Sequence, residues 1–284
     1  MSANILIYLE KTCLNIENLY MRHEVKKNFL TKKFEKLYRE FNRRDLVSPD
    51  PLQFLYEYND ARDREVVGLI ASSLAYGRVA QIIKSTNLVL KIMGKSPHEF
   101  LKASPRKQIE AGLKDFKHRF TVGNEVANLL FASKKAISEF GSIGECFSSF
   151  ICKSDENILS ALSKFIEKFS RYCESDIGYL LPSPEKGSAC KRPNLYLRWM
   201  VRSDDVDPGG WSGISASKLI IPLDTHMYNI CRRFGFTKRK QANLKTACEI
   251  TENFKKIAPD DPVKYDFALT RFGIRGDMKI EDLF

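Results

Sequence analysis

The segment Leu223–Gly235, LDTHMYNICRRFG, shows most clearly how this chain folds. Its apolar side chains recur at the spacing of one helix face, at Met227, Ile230, Cys231 and Phe234. Asp224 precedes that face and is a preferred N-cap residue, and Gly235 follows it and is a preferred C-terminal residue. The segment therefore predicts a helix that begins after Asp224 and ends before Gly235.

The same helical spacing recurs along most of the chain. Further apolar stripes run through Val66, Ile70 and Leu74, through Ile158, Leu162 and Ile166, and through Ala247, Ile250, Phe254 and Ile257. Asp261-Pro262 predicts the start of a last helix that ends at Gly273. No run alternates apolar and polar residues between hairpin turns, so we expect strands to be minor. Hydrophobic residues make up 43% of the chain, enough to fill a core without metals or disulfides, and the pattern predicts an all-α fold.

The net charge of +11 is concentrated in two stretches of the chain. Residues 22–44 carry +6 and residues 186–245 carry +8, whereas the remaining 201 residues sum to −3. Such segregation is typical of a surface that binds a polyanion, with nucleic acid as the first candidate and an anionic membrane as the second. For the first stretch alone, a solvated helix face is the simpler interpretation. The membrane is disfavoured because no segment approaches about 18 uninterrupted apolar residues, and the run Ile5–Leu9 is too short for a signal peptide.

The cysteines and histidines give no metal-binding pattern. Seven scattered cysteines without a C-x-x-C pair indicate free thiols in a reducing compartment, so we expect a soluble, cytoplasmic protein. The four histidines lack the spacing of zinc ligands. The acidic group Asp204, Asp205 and Asp207 is interpreted as a loop with N-capping residues rather than as a cation site. We therefore predict neither a metal site nor a cofactor.

Two predicted helix starts place reactive side chains in the second basic stretch. The turn-rich loop Leu181–Cys190 leads to Lys191, which we expect in the first turn of a helix. There the amine meets the positive end of the helix dipole, and a desolvated amine in that position loses its proton more readily, as a nucleophile requires. Asp224 follows 33 residues later at another helix start. Lys186 and Lys218 are rival nucleophiles.

Three segments resemble the helix-hairpin-helix DNA glycosylases related to endonuclease III. Leu223–Arg233 is similar to that family's V-D-T-H-I-F-R-V-C-N-R block, whose aspartate is catalytic. Lys264–Gly273 is similar to its late H-H-W-L-I-L-H-G helix, and Ala71–Gln81 is similar to the L-S-A-Q-A-T segment that lines its lesion pocket. The resemblance covers about residues 60–275, and the Asp-Thr-His block is its specific part.

The position of the lysine favours one branch of that family. Endonuclease III carries its lysine in a hairpin close before the aspartate, at a position that Val206 occupies here. The archaeal 8-oxoguanine DNA glycosylase branch has a longer interval and a lysine at a helix start, and is more similar. On this resemblance Lys191 is the nucleophile and Asp224 the catalytic carboxylate. The family's iron–sulfur cluster is not expected, because no cysteine follows Cys248.

The resemblance also implies an architecture and an activity. We expect a two-lobed all-α fold with a cleft between the lobes. An N-terminal segment (1–60) would pack with the C-terminal lobe, followed by a central lobe (61–190) and a lobe that carries the two catalytic residues (191–284). The implied protein is a monomeric DNA glycosylase with abasic-site lyase activity. Its partner would be double-stranded DNA that contains an oxidised purine, with 8-oxoguanine as the first candidate.

Further contacts are predicted for residues near these segments. The predicted substrate-binding residues are Ser73, Tyr76, Arg78, Trp211, His226 and Asp266. The predicted DNA-backbone contacts are Lys186, Ser188, Arg192, Arg198 and Arg232. Trp211 is expected to be exposed in its glycine-rich loop, whereas Trp199 is expected in the core. For Asp266, a solvated surface position remains an equal alternative.

Two other classes of function stay open at this point. The chain is also consistent with a non-catalytic nucleic-acid-binding protein on the same scaffold, for which RNA is a further candidate ligand. The other class is a helical adaptor with a purely structural role. The adaptor predicts no salt-dependent affinity for DNA, and the binding protein predicts affinity without a covalent intermediate.

Overall fold

The computed structural model describes residues 24–284 as an all-α protein, which confirms the predicted fold class. The apolar run Ile5–Leu9 and the first two residues of the first basic stretch lie outside the described residues. The helices are α1 (24–41), α2 (Ala61–Ser73), α3 (Val79–Met93), α4 (Pro97–Ala103), α5 (Arg106–Leu113), α6 (Gly123–Phe140), α7 (Ile143–Ser148), α8 (Leu159–Tyr172), α9 (Lys191–Val201), α10 (Thr225–Phe234), α11 (Leu244–Lys255) and α12 (Asp266–Ile274). Two short strands, β1 (Lys117–His118) and β2 (Thr121–Val122), pair antiparallel.

Local sequence signals set the bounds of α10 as predicted. The Asp224 carboxylate accepts a hydrogen bond from the backbone N–H of Met227 at 2.8 Å, and Gly235 ends the helix in the left-handed conformation. The prediction that Asp261-Pro262 opens the last helix was wrong, since α12 begins at Asp266. The Asp261 carboxylate accepts a hydrogen bond from Arg202 Nε at 2.9 Å, and residues 262–265 form turns instead.

Helix packing follows the apolar stripes of the sequence. Helix α6 contacts α4, α5, α7 and α8, whereas α10 contacts α12. Helix α2 contacts α9, and Gly68 makes this close approach because a Cβ atom there would lie 3.2 Å from the Tyr196 ring. Helix α9 is thereby held against the first half of the chain, which fixes the place of its first residue, Lys191.

Helix α1 packs on the C-terminal helices. Its Phe34 is fully buried and makes aromatic contacts with Phe234, Phe236, Phe254 and Tyr265. The boundaries of the three predicted segments, after residues 60 and 190, stay predictions. Among residues 24–284, no helix combines the length and the apolar character needed to cross a bilayer.

Candidate active site

Lys191 and Asp224 lie side by side although 33 residues separate them in the chain. Lys191 is the first residue of α9, and Asp224 is the N-cap of α10. The Lys191 Nζ atom lies 3.6 Å from Asp224 Oδ2, with side chains 36% and 15% exposed. Asp224 Oδ1 caps α10, so its two oxygens have different tasks. The predicted convergence of one amine and one carboxylate is therefore present in the structure.

This pair stands where an inner cavity meets an outer groove. The inner cavity has a volume of about 290 Å³ and is lined by residues of α3, α9, α12, the α2–α3 connection and the start of α10. The outer groove has a volume of about 630 Å³ and is lined by the α2–α3 connection, the loop before α9 and the start of α10. Both are lined by Ala75, Tyr76, Gly77, Lys191, Asp224 and His226. The Lys191 amine is therefore within reach of a molecule that occupies the inner cavity, the outer groove or both.

Asp266 is a buried wall residue of the inner cavity. It is 3% exposed, so the predicted alternative of a solvated carboxylate was wrong. Its Oδ2 atom accepts a hydrogen bond from Arg198, and its Oδ1 atom is buried without a hydrogen-bond partner among the described residues. Burial raises the pKa of Asp266 to about 6, although Arg198 opposes the shift, and the negative charge of Asp224 raises it further.

Arg198 was predicted to contact the DNA backbone, and this prediction was wrong. The residue is 3% exposed, and its guanidinium lies between two carboxylates, those of Asp207 at 3.0 Å and of Asp266. A guanidinium placed in this way has no access to a phosphate outside the protein. Arg198 also lines the inner cavity, and its role is to compensate the two buried carboxylates, because an unpaired buried charge is costly.

The buried charges continue beyond Arg198. Asp207 also pairs with Arg202, and Arg202 pairs with Asp204 at 2.8 Å. Asp204 accepts hydrogen bonds from the Asp207 backbone N–H and, at 2.8 Å, from the Tyr38 hydroxyl of α1. The acidic group lies in a loop, as predicted, but no helix begins there, so the predicted N-capping role was wrong: Asp204 accepts from backbone N–H groups of its own loop, and the carboxylates neutralise two arginines. Within residues 24–284, no group of three or more acidic, histidine or cysteine side chains is arranged to hold a metal ion.

Tyr76 and Arg192 form one wall of the outer groove. The Arg192 guanidinium lies over the rings of Tyr76 and Tyr179, at 5.0 Å and 4.7 Å from their centroids. Burial lowers the pKa of Arg192, whose Nη1 atom is buried without a hydrogen-bond partner in the described part of the chain. The Tyr76 hydroxyl lies 2.9 Å from the His118 carbonyl oxygen and 2.7 Å from Thr121 Oγ1. The hairpin of β1 and β2 therefore holds the tyrosine in place.

Four other predicted contact residues lie on accessible surface. Lys186 and Ser188 line the outer groove, and Lys186 is exposed. Arg232 is exposed on α10, with its guanidinium 5.6 Å from the centroid of the Tyr228 ring. His226 lines both the cavity and the groove, and α12 passes so close that a Cβ atom on Gly273 would lie 2.4 Å from the ring.

The structure corrects two of the predicted substrate-binding residues, Ser73 and Trp211. Ser73 is fully buried and lies outside the inner cavity and the outer groove. Arg78 is exposed at the N-cap of α3, between two residues that line the inner cavity, Gly77 and Val79, and its contact with the substrate stays a prediction. Trp211 is not an exposed aromatic, because it packs against Phe147 and its indole N–H donates to Glu65 at 3.1 Å. Its glycine-rich loop predicted exposure, and the distant carboxylate that binds it left no local signal.

Of the rival lysines, Lys218 lies away from the site. Its Nζ atom is 3.2 Å from the carbonyl oxygens of Cys152 and Lys153, and it lines neither the inner cavity nor the outer groove. Lys186 lies in the outer groove, where it remains a rival. Trp199 is fully buried, as predicted.

Several wall residues were missed by sequence reasoning. Tyr179 is 42% exposed and supplies the accessible aromatic ring of the outer groove. Arg271 lines the inner cavity with its Nε atom buried and without a partner within residues 24–284, and its Nη2 donates to Asp50 at 2.9 Å. Tyr179 lies in a loop without a motif. Arg271 belongs to the segment similar to the late glycosylase helix, but the partner that makes it informative lies 221 residues away.

The comparisons with known proteins give one match. The family described as "Protein of unknown function (DUF2400)" matches residues 50–275, which include the inner cavity, the outer groove and both residues of the central pair. No curated protein and no solved structure matches the chain.

Proposed function

We propose a function from the geometry of the site, because the chain belongs to the DUF2400 family and the description of that family states no activity. The proposed function is that of a DNA glycosylase with abasic-site lyase activity, which removes an oxidised purine, 8-oxoguanine first, through a lysine Schiff base. The observation that carries this proposal is the placement of Lys191 and Asp224 at the junction of the inner cavity and the outer groove.

The two spaces match the two parts of an extruded nucleotide. The anomeric carbon is unreachable inside a duplex, so an enzyme that attacks it must rotate the nucleotide out of the base stack. The inner cavity, at about 290 Å³, lies near the lower end of small-molecule pockets and suits one base. With the base there and the phosphates in the outer groove, the sugar lies at the junction, next to Lys191 Nζ.

The chemistry follows from one amine and one carboxylate. The lone pair of the Lys191 amine forms a bond to C1′ while the bond between C1′ and the base breaks, and the bonding pair leaves with the base. Asp224 Oδ2 accepts the proton that the amine gives up and stabilises positive charge on the sugar. Opening of the sugar ring gives the Schiff base. Loss of a proton from C2′ then breaks the C3′–O bond and releases the 3′ phosphate.

The walls supply contacts for both parts of the nucleotide. Asp266 Oδ1 and Arg271 Nε are buried polar atoms without partners among the described residues, and both residues line the inner cavity. They offer an acceptor and a donor to the edge of a base. In the outer groove, Lys186, Ser188 and Arg192 are available to phosphate oxygens. Arg232 extends the positive surface on α10.

Borohydride trapping tests the proposal. The whole protein is mixed with duplexes that contain 8-oxoguanine or an abasic site, reduced, and examined for a covalent protein–DNA adduct. We expect an adduct with the wild type and with Lys218→Ala, and none with Lys191→Ala. Asn caps helices as well as Asp does, so Asp224→Asn keeps α10 but removes the carboxylate. We expect this variant to form the adduct at least about 10²-fold more slowly than the wild type.

Other outcomes point elsewhere. An adduct that survives in Lys191→Ala and disappears in Lys186→Ala moves the nucleophile to Lys186. Salt-dependent DNA binding without an adduct on a panel of lesions refutes the enzyme and supports the non-catalytic binding protein. No salt-dependent binding at all leaves the structural adaptor. We also propose that the protein acts as a cytoplasmic monomer. Sedimentation of the whole chain tests the oligomeric state, and microscopy of the protein in cells tests its location.

A further inference from the structure

The backbone takes an unusual conformation directly before Lys191. Cys190, the N-cap of α9, has φ 49° and ψ 39°, which is the left-handed region. Residues with a side chain rarely adopt it, and in residues 24–284 Arg119 is the other non-glycine residue with positive φ. Surrounding contacts must hold such a conformation in place. The direction of the first turn of α9 depends on it, because Cys190 joins that turn to the preceding loop.

The thiol of Cys190 provides part of this hold. The side chain is fully buried, and its Sγ atom lies 3.2 Å from the Pro182 carbonyl oxygen and 3.3 Å from the Ser188 carbonyl oxygen. Burial raises the pKa of the thiol to about 12, so the group stays a protonated donor at neutral pH. The thiol therefore bonds back onto the loop that leads into α9.

Asn194 holds the same junction from the helix side. It is 1% exposed, and its Nδ2 donates to the Ala189 carbonyl oxygen at 3.2 Å. The Gly187 carbonyl oxygen accepts a bond from Leu244 N at 3.1 Å, which ties the loop to α11. The residues on the N-terminal side of Lys191 are thus fixed both to their own helix and to a neighbouring one.

We propose that Cys190 and Asn194 are positioning residues for Lys191. They fix the junction of loop and helix that places the lysine amine beside Asp224 at the mouth of the inner cavity. This inference rests on the proposed function for its catalytic consequence. It goes further by assigning roles to two buried residues that act through the placement of Lys191, although Cys190 also lies along the outer groove.

The test uses variants that separate donor from backbone. Cys190→Gly accepts a left-handed conformation but has no donor, and Cys190→Ser keeps a donor. Asn194→Asp keeps the shape and loses the Nδ2 donor when ionised. Cys152→Ser, at an exposed thiol, is the control. We measure single-turnover adduct formation on abasic duplex at saturating enzyme, the Kd for the same duplex, and thermal unfolding.

We expect Cys190→Gly and Asn194→Asp to lower the single-turnover rate by roughly 10- to 100-fold, the range that a misplacement of about 1 Å produces. Their Kd should stay within about twofold of the wild type, since the side chains proposed to contact phosphate, Lys186, Ser188 and Arg192, are all retained. Cys190→Ser should recover most of the rate. Rates equal to wild type in both variants, or a loss matched by lost binding or lost folded protein, overturn the inference.

A second readout does not depend on lyase activity. Acetic anhydride acylates exposed amines, and mass spectrometry reports the extent at Lys191 and at Lys218 in the same sample. If the positioning holds, the pH profile of acylation at Lys191 differs between wild type and Cys190→Gly, while the profile at Lys218 does not. An unchanged Lys191 profile refutes the positioning role. If the wild type forms no adduct but the Lys191 acylation profile still differs between wild type and Cys190→Gly, the proposed function is refuted and the positioning role is not.

Discussion

Replacing Asp266 by asparagine tests the electrostatics of the inner cavity. The pKa of this buried carboxyl is raised from 3.8 to about 6 by burial, so between these values the folded protein binds more protons than the unfolded chain. The contribution of Asp266 to stability is therefore complete below about pH 3.8 and is lost as the pH rises toward 6. The difference between the two pKa values corresponds to a loss of about 3 kcal/mol in the free energy of unfolding once Asp266 is ionised in both states. About 2 kcal/mol of this loss occurs between pH 4 and pH 7.

The measurement is urea unfolding of wild type and Asp266→Asn at several pH values from 4 to 7. We expect the free energy of unfolding of the wild type, relative to that of the variant, to fall by about 2 kcal/mol across this range. Asp277→Asn is the control, because Arg275 lowers the pKa of that exposed carboxyl and its contribution does not fall with rising pH. A difference between wild type and Asp266→Asn that is constant with pH refutes the reasoning.

Two further predictions concern the arginines of the site. Arg198→Met leaves the buried carboxylates of Asp207 and Asp266 without their shared cation. We expect urea unfolding at pH 7 to show a free energy of unfolding lower by about 3–5 kcal/mol. A loss below about 1 kcal/mol contradicts the buried pairing. Arg192→Ala should make the slope of log K against log salt for duplex DNA shallower by about 0.9, as loss of one phosphate contact does, whereas Arg171→Ala on α8 should leave it unchanged. Equal slopes for wild type and Arg192→Ala would show that Arg192 contacts no phosphate, which contradicts the proposed position of the DNA backbone in the outer groove.

The sequence predicted those features that depend on neighbouring residues. Helix α10 followed from an N-cap, an apolar stripe and a terminal glycine, all within a dozen residues. Lys191 and Asp224 were each placed at a helix start by the same local signals. That they meet required the resemblance to the glycosylases, because no local pattern relates two helix ends so far apart in the chain.

The errors share one physical origin. Arg198 and Trp211 were assigned to the surface, and Asp261 to a helix start, from composition and turn signals nearby, but each is fixed by a partner from another segment. Arg198 meets a carboxylate 68 positions away, and Trp211 meets one 146 positions away. Burial of a polar side chain is a property of its three-dimensional partners, and a single sequence does not contain that information.

The Tyr38 hydroxyl of α1 bonds to Asp204, the first member of a series of alternating charges that ends at Asp266 in the wall of the inner cavity. Helix α1 therefore influences the electrostatics of a cavity that it does not line. A shortened chain that begins after α1 would keep Lys191 and Asp224 but remove the phenol that bonds to Asp204. The freed carboxylate would draw more strongly on Arg202, and the change would pass through one more arginine to Asp266. Removal of α1 would thus change the electrostatic environment of the inner cavity without removing any residue that lines it.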